Sequence, residues 1–188
     1  MAGVIVNPVL KKIHGKIGGL VFKKYGDETI IAQSPGPRTT PPTAGQQAQR
    51  ERFKLAAVYG HTALADPVTG AIYRDRAKAK GQPVFSVAVA DFFHPPVVDA
   101  IDLSAYTGKT GETIKIRASD DFEVVGVEVR ILDVNGTALE QGPATRSGSD
   151  GQWLYPTTTN LPDGQQVSIE VTATDRPGHK GTKTQTRG

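Results

Sequence analysis

The chain contains 188 residues, with 22 Lys and Arg against 19 Asp and Glu, and it contains no cysteine. The lack of cysteine excludes disulfides, thiolate metal sites and cysteine nucleophiles. Residues 1–96 carry 13 basic and 6 acidic side chains, whereas residues 97–188 carry 9 basic and 13 acidic ones. Two halves of opposite sign attract each other between copies, so the pattern predicts head-to-tail assembly into rings or filaments.

The amino-terminal segment lacks the pattern of a secretory signal. No basic residue precedes Val4-Ile5-Val6, and Asn7-Pro8 interrupts the apolar stretch. No run approaches the ~18–20 apolar residues of a membrane span. We therefore expect a chain that is soluble as made. An extracellular filament or a virion would then be reached by lysis or by a dedicated exporter.

The first elements predicted in chain order are a hairpin and a connector. Residues 20–33 indicate a β-hairpin, with Gly26-Asp27 suited to a type II′ turn. Gly15, Gly18 and Gly19 precede it and are expected to permit close backbone approach or positive φ, with anion binding by their amides as the alternative. Four prolines in residues 34–42 predict an extended connector.

Two or three helices are predicted after the connector. Thr43 and Gln46 have the spacing of a capping box. The helix that follows is expected to bury one stripe, with Leu55 and Val58 on another. The residues of the buried stripe are Gln49, Phe53, Ala56, Ala57, Gly60 and Leu64.

Two shorter helices complete this half. Asp66-Pro67 begins one helix that Gly81 ends, and residues 83–93 form an apolar third helix. His94 stands at its carboxyl end, where the helix dipole favours a cation. Pro95-Pro96 marks the predicted boundary between a basic assembly module, residues 1–96, and a second domain, residues 97–188.

Residues 97–188 are predicted to form an all-β domain. Apolar and polar residues alternate clearly at 113–118, 125–131 and 167–173. Asn135-Gly136 is the strongest hairpin signal in the chain. Further strands are predicted at 97–103, 137–141, 152–155 and 180–186. About seven strands in roughly 90 residues are typical of an immunoglobulin-like β-sandwich.

Both halves resemble known families. Residues 120–129, 151–155, 161–164 and 171–178 resemble bacterial immunoglobulin-like repeats, which serve as spacers or adhesive units in surface and phage proteins. Gly15-Lys16-Ile17-Gly18-Gly19-Leu20-Val21-Phe22, with residues 41–50 opening a helix, resembles an uncharacterised bacterial and phage family whose members look like structural proteins. The resemblances imply an α+β module followed by a sandwich, and they transfer no residue-level function.

No catalytic or cofactor motif is complete. Gly108-Lys109-Thr110 is similar to the end of a phosphate loop, but Leu103 stands where that loop requires glycine, so a surface turn is expected. Ser149 lies in a polar turn without a nucleophile-elbow pattern. The histidines, His14, His61, His94 and His179, show no metal-ligand spacing. We expect a protein that is not an enzyme and that holds no cofactor or metal.

Two binding hypotheses stay open beside that expectation. Strand-end carboxylates could gather to bind Ca²⁺, although solvated side chains are the favoured interpretation. These carboxylates are Asp99, Asp102, Asp120, Asp121, Asp133 and Asp175. The basic residues around the hairpin, with Phe22 and Tyr25, would suit a nucleic acid, but the acidic half and the modest net charge of +3 argue against one. These basic residues are Lys11, Lys12, Lys16, Lys23 and Lys24.

Two features favour contacts between copies. The final strand has no large apolar residue and predicts thin cover over one edge of the core. An apolar tip precedes the glycines and is hypothesised to add as a strand to another copy's sheet, the alternative being that it packs on its own chain. The candidate inter-subunit contacts are Val4, Ile5, Val6, Val9, Leu10, Leu20, Phe22 and Tyr25.

These features together predict a self-assembling homo-oligomer, a subunit of a filament, tube or virion. The alternative is a carbohydrate- or receptor-binding adhesion module. In that module the loops at residues 120–122 and 151–155 would carry the ligand.

Overall fold

A computed structural model describes residues 14–25, 28–37, 40–148 and 150–187. Its contacts divide the chain into two compact units, Met1–Gln47 and Ala48–Gly188. The described residues form a mixed α+β structure with three helices and a sandwich-like β region. The predicted boundary at Pro95-Pro96 separates the helical from the strand-rich segment of the larger unit, and it stays a prediction about domains.

The smaller unit contains one antiparallel sheet of three strands. These are β1 (Gly15–Ile17), β2 (Leu20–Tyr25) and β3 (Glu28–Gln33), in that order across the sheet. The hairpin predicted over residues 20–33 is confirmed, whereas β1 was not predicted. Gly18 adopts φ +59°, a conformation that glycine tolerates and that the tight turn between β1 and β2 uses. The predicted turn at Gly26-Asp27 and the apolar tip of residues 4–10 lie outside the described residues.

The first helix begins as its sequence predicts. Helix α1 spans Ala44–Ala65. The Thr43 amide donates to Gln46 Oε1 at 3.2 Å, and the Gln46 amide donates to Thr43 Oγ1 at 3.3 Å, which is a capping box. The predicted buried stripe was partly wrong. Ala56, Gly60 and Ala63 are buried, whereas Gln49 and Phe53 are exposed.

Helices α2 (Pro67–Lys80) and α3 (Val84–Phe93) follow as predicted. Asp66 Oδ1 accepts from the Thr69 amide at 2.7 Å to cap α2, and Gly81 ends α2 in the left-handed conformation. Gly60 of α1 lies against α3, since a Cβ at that position would come within 3.0 Å of the Phe85 ring. The absence of a side chain there therefore permits the close approach of α1 and α3.

The rest of the larger unit contains eight strands in two antiparallel sheets. The strands are β4 (Val97–Asp102), β5 (Thr113–Ser119), β6 (Val124–Leu132), β7 (Ala138–Pro143), β8 (Thr145–Ser147), β9 (Gln152–Pro156), β10 (Val167–Asp175) and β11 (Lys180–Arg187). The orders are β11-β10-β6-β7 and β4-β5-β9-β8. All seven predicted strands are present, and short β8 was not predicted.

Alternate residues of the strands build one core between the sheets. Ile114 and Ile116 from one sheet and Val129, Ile131 and Ile169 from the other are fully buried in a single cluster. Every second residue of β10 is buried, which is the pattern predicted from the sequence. The Asn135-Gly136 hairpin is confirmed: Gly136 has φ +81° and its amide donates to the Asp133 carbonyl.

The final strand covers its edge of the core, contrary to the expected thin cover. Ile169, Val171 and Ala173 of the neighbouring strand β10 are fully buried. On the core-facing side of β11, Lys183 donates to the Asp99 carbonyl, and the Arg187 guanidinium lies 5.1 Å from the Tyr106 ring centre. Long cationic side chains therefore provide the cover that the sequence was expected to lack.

Candidate functional site

One face of the amino-terminal sheet carries four apolar side chains beside the polar Thr29 and Gln33. Cross-strand register places Ile17 opposite Leu20 and Phe22 opposite Ile31, so these four side chains share that face. Ile17 is 57% exposed, Leu20 45% and Ile31 40%. The predicted contacts Leu20 and Phe22 therefore lie together on one surface. We call Ile17, Leu20, Phe22 and Ile31 the apolar sheet face.

The opposite face of the same sheet is mixed in character. Lys16, Val21 and Ala32 lie opposite one another, and Lys23 lies opposite Ile30. Ile30 is 47% exposed, comparable to Ile31 on the apolar face. Tyr25, the third predicted contact in this hairpin, is the last residue of β2. The predicted contacts Val4, Ile5, Val6, Val9 and Leu10 lie outside the described residues.

A polar groove of about 500 Å³ opens on the sandwich. It brings together two loops proposed from the sequence as ligand carriers, the β5–β6 loop and the turn before β9. Charged side chains of both signs line it, with Trp153 at its floor. The charged residues are Asp99, Arg117, Asp120, Glu123, Arg146 and Asp150.

The floor and one wall of this groove are held by an ion-pair network. Glu123 accepts from Arg176 at 2.5 Å and lies 3.6 Å from the Arg146 guanidinium. That guanidinium is 5.9 Å from the Trp153 ring centre, and Trp153 is only 6% exposed. The indole Nε1 has no hydrogen-bond partner among the described residues. The ring is thus covered by arginine and offers no open stacking platform.

Phe122, in the middle of the β5–β6 loop, packs on helix α2 and also lines the groove. Its ring lies 4.6 Å from the Tyr73 ring and 5.6 Å from the Arg76 guanidinium. Arg76 also reaches the carbonyls of Asp121 and Phe122. The loop is therefore held against helix α2, and contact of Phe122 with a ligand stays a prediction.

An acidic cluster lies where α3 meets this loop. One carboxylate oxygen from each of Asp91, Asp120 and Asp121 lies within 4.8 Å of the other two. Asp91 is 1% exposed, and its Oδ2 accepts from the Tyr73 hydroxyl, which lies 2.7 Å from the Tyr59 hydroxyl. We call Asp91, Asp120 and Asp121 the acidic cluster.

The electrostatics of the acidic cluster disfavour three full negative charges. Burial raises the pKa of Asp91 to about 7, since the lowering effect of the Tyr73 hydrogen bond is outweighed by burial and the charges of Asp120, Asp175 and Asp121. Burial also raises the pKa of Asp121, opposed by His94, whose Nδ1 lies 3.2 Å from Asp121 Oδ2. At neutral pH the acidic cluster is therefore partly protonated.

The other strand-end carboxylates do not gather. Asp99 accepts from Ser119, Asp102 from the Ser104 amide, Asp133 from two amides of its own turn, and Asp175 from His179. Each of them satisfies donors of its own loop or a neighbouring strand. Of the six carboxylates considered for calcium, the structure brings together Asp120 and Asp121, and it adds Asp91.

The phosphate-loop mimic is filled by the chain itself. The amides of Thr107, Gly108 and Lys109 all donate to Glu112 Oε2, at 2.7, 3.0 and 2.9 Å. Hydrogen bonds from Thr107 and from the Lys109 and Gly108 amides hold the pKa of Glu112 at about 2. A carboxylate of the same chain thus occupies the position that a phosphate would need, and the segment is a surface turn as predicted.

The histidines occupy separate environments. His94 Nδ1 lies 2.8 Å from the Ala90 carbonyl at the end of α3, the position predicted for it. His179 Nδ1 lies 3.1 Å from Asp175 Oδ2, and the His61 ring packs against Phe85. Ser149 lies outside the described residues. Within the described ranges, none of the three helices is long and apolar enough to cross a membrane.

Asp91 is the residue that sequence reasoning missed. Its segment, Val84–Phe93, contains one acidic residue among apolar ones. Such a lone carboxylate on an otherwise buried helix is the signal that would have found it, because burying it requires compensation. Its partners come from a loop about thirty residues later in the chain, and no local pattern specifies that meeting.

Comparisons with known proteins identify no family. No protein-family model matches the chain, and no curated protein matches it. Among solved structures, it is similar to CopC from Methylosinus trichosporium OB3b, with 16% identity and a TM-score of 0.36. That match covers 48% of this chain and 89% of CopC, and at this level of similarity it supports no functional argument.

Proposed function

We propose that the chain is a self-assembling structural subunit whose copies meet through the apolar sheet face. The observation that carries the proposal is the exposure of Ile17, Leu20 and Ile31 on one side of a three-stranded sheet. A small sheet normally buries one face against another layer. Contiguous exposed apolar side chains of this kind are typical of a contact surface between proteins.

A second copy is the occupant that this face best fits. Complete burial of a Leu or Ile side chain contributes about 1.5–3 kcal/mol. Ile17, Leu20 and Ile31 are each about half exposed, so burying their remaining surface contributes about 3 kcal/mol per copy. Self-association doubles this gain because each copy contributes the same face. A face that meets the same face of another copy closes a dimer, so a polymer needs a second contact between copies.

Charge supports association between unlike ends as well. Residues 1–96 carry an excess of seven positive charges and residues 97–188 an excess of four negative ones. Opposite signs steer encounter and fix the register of copies, whereas apolar contact supplies the affinity. We therefore propose a filament, tube or virion subunit, held at the sheet face and guided by charge.

For the strand-rich half we propose an immunoglobulin-like identity. The orders β4-β5-β9-β8 and β11-β10-β6-β7 correspond to the A-B-E-D and G-F-C-C′ orders of that fold. Such sandwiches serve as spacers or displayed modules, which suits a domain carried outward from an assembly. The inward-pointing Lys183 and Arg187 on edge strand β11 discourage pairing through that edge.

Sedimentation velocity on two matched variants tests the proposal. Ile31→Glu places a charge on the apolar sheet face, and Ile30→Glu places the same charge one residue away on the opposite face of β3. We expect the wild type and Ile30→Glu to form oligomers and Ile31→Glu to sediment as a monomer. Negative-stain microscopy of the same samples gives the form of the assembly.

Two results would contradict this function. The first is a wild-type chain that stays monomeric at high concentration and low salt. The second is an Ile31→Glu variant that assembles as the wild type does. Raising the salt from about 0.05 to 0.5 M should slow assembly, because the Debye length falls and the steering between unlike halves weakens.

A second candidate function, a binding module, is favoured by the groove. Side chains of both signs around an open groove of about 500 Å³ suit a polar ligand such as a carbohydrate or an acidic or basic receptor segment. Trp153 is the only tryptophan in the chain, so intrinsic fluorescence reports on the floor of the groove. Saturable change of that emission with an oligosaccharide, lost in Arg117→Ala, supports this function, and an unchanged emission across a glycan panel opposes it.

A further inference from the structure

Asp91 is a buried carboxylate with unmet hydrogen-bonding capacity. Tyr73 donates to its Oδ2, but its Oδ1 has no hydrogen-bond partner among the described residues, although the side chain is 1% exposed. Buried polar groups in folded proteins are nearly always paired. An unpaired carboxylate oxygen on a buried helix therefore indicates a missing partner of positive charge or hydrogen-bond donor character.

A second oxygen in the same place has the same need. Asp120 Oδ2 is buried and has no partner within the described part of the chain. Its other oxygen, Oδ1, accepts from the amides of Phe122 and Glu123 at 2.7 and 2.8 Å. These two bonds fix the direction of the carboxylate, so the unpaired oxygen is held in place by the loop.

The two nearby arginines, Arg76 and Arg176, are engaged elsewhere, and of the three carboxylates His94 contacts Asp121 alone. The Arg76 guanidinium donates to the carbonyls of Asp121 and Phe122, and Arg176 donates to Glu123. His94 Nδ1 lies 3.2 Å from Asp121 Oδ2. Within the described residues, no Lys or Arg forms an ion pair with any of the three carboxylates of the acidic cluster.

We propose that Asp91, Asp120 and Asp121 form a binding site for a divalent hard cation, calcium foremost. Three carboxylates offering oxygens alone are the ligand set of Ca²⁺, Mg²⁺ and Mn²⁺ and not of softer metals. Ca²⁺ accepts six to eight oxygens in flexible geometry, whereas Mg²⁺ requires a near-ideal octahedron and dehydrates reluctantly, so a site of protein carboxylates suits Ca²⁺ better. One oxygen from each carboxylate lies within 4.8 Å of the other two, close enough for all three to contact a single ion.

The ion would connect two elements of the larger unit. Asp91 comes from helix α3, and Asp120 and Asp121 come from the loop between β5 and β6. Asp120 also lines the polar groove, so an ion held here fixes the loop that forms one wall of that groove. The site is independent of the apolar sheet face and holds whether or not copies assemble.

Calorimetric titration of the full chain, freed of metal by a chelator, tests the site with CaCl₂ and MgCl₂ as probes. With three protein carboxylates we expect one Ca²⁺ per chain, a dissociation constant on the order of 10⁻⁴–10⁻³ M and weaker Mg²⁺ binding. The melting temperature should rise with Ca²⁺, because an ion that binds only the folded state stabilises it. NaCl at matched ionic strength is the control for screening.

Three variants locate the ion. Asp91→Asn and Asp121→Asn should each weaken Ca²⁺ binding at least about tenfold and remove the rise in melting temperature. Asp163→Asn alters an exposed carboxylate in a distant turn and should bind as the wild type does. Trp153 emission checks that each variant has folded, and Asp91→Asn keeps an acceptor for the Tyr73 hydroxyl. The absence of heat at about 10 mM Ca²⁺, far above the expected dissociation constant, overturns the proposal, as does binding that survives both cluster substitutions.

Discussion

Glu140 is a buried carboxylate whose hydrogen bonds are complete, and its replacement by Gln should destabilise the sandwich. It is 8% exposed on β7. Its Oε1 accepts from the Tyr155 hydroxyl at 2.9 Å and from the Thr158 amide at 2.7 Å, and its Oε2 accepts from the Thr159 amide at 3.0 Å. Burial raises its pKa, but the bonds from Thr158, Tyr155 and Thr159 outweigh burial, so the pKa lies below the usual value.

The size of the effect follows from these three bonds. Hydrogen bonds to a charged acceptor contribute about 1.5–3 kcal/mol each and those to a neutral one about 0.5–1.5. Glu140→Gln keeps two acceptor bonds in neutral form and turns its NH₂ group toward the Thr159 amide, which leaves a buried donor unpaired. Removing the cost of burying a charge offsets part of this loss. We expect a net destabilisation of about 2–4 kcal/mol at neutral pH.

Urea unfolding followed by Trp153 fluorescence measures this difference within the sandwich. Because the folded pKa lies below the unfolded value of 4.5, the stabilisation is complete above that value and is lost as the pH falls through the folded pKa. The gap between Glu140→Gln and the wild type should therefore close in acid. Glu128→Gln, on the exposed face of β6, should stay within about 0.5 kcal/mol. Equal stability of Glu140→Gln and wild type at pH 7 would refute the reasoning.

Three further substitutions probe other parts of the structure. A Cβ at Gly181 would collide with the Pro96 carbonyl oxygen, whereas one at Gly126 would meet nothing within 4 Å. Gly181→Ala should therefore lower the free energy of unfolding by at least about 1 kcal/mol, measured as a fall in melting temperature, and Gly126→Ala should lower it far less. Tyr73→Phe removes the hydroxyl that donates to Asp91 and should lower the free energy of unfolding, measured by chemical denaturation, by about 1–3 kcal/mol. Phe53→Leu, at a half-exposed position, is the control and should leave that free energy unchanged. Thr43→Ala removes the capping box and should cost about 1 kcal/mol, seen as faster amide exchange in the first turn of α1.

Local patterns predicted most of the elements. The alternation at residues 167–173 predicted a strand because every second residue faces a core, and the Thr43–Gln46 spacing predicted a helix start because both groups bond each other's amides. Strand β8 was missed because three residues of mixed character carry no period. Phe53 was expected inside because it lies on the apolar stripe, but it stacks on Phe93, 6.4 Å away, and stays half-exposed.

The candidate sites were harder to predict because they depend on meetings between distant segments. Asp120 and Asp121 were noticed as a pair, yet their third member, Asp91, lies in a helix that the sequence marked only as apolar. The thin cover expected over the last strand was wrong for a related reason. Polar residues were counted as poor cover, but Lys183 reaches Asp99 in the other sheet and Arg187 reaches Tyr106 in the β4–β5 loop.

The edges of the molecule's sheets indicate where contacts between copies can form. On edge strand β11, the residues that face inward are Gly181, Lys183, Gln185 and Arg187. Inward charges at a sheet edge oppose the addition of another strand. The apolar sheet face has no such protection, since its exposed members are aliphatic. Assembly is therefore expected through that face of the smaller unit and not through the closing edge of the sandwich.

Three carboxylates of the larger unit, Glu112, Glu140 and Asp91, differ in whether the chain itself satisfies their hydrogen bonds. Glu112 accepts from three amides and Glu140 from three donors, and hydrogen bonding holds the pKa of each below its usual value. Each is satisfied by its own chain and needs no ligand. Asp91 differs because one of its oxygens is unpaired and because two further carboxylates each offer an oxygen within 4.8 Å of it. Buried carboxylate oxygens are normally paired, as those of Glu140 are, and a bound cation would satisfy the unpaired oxygen of Asp91.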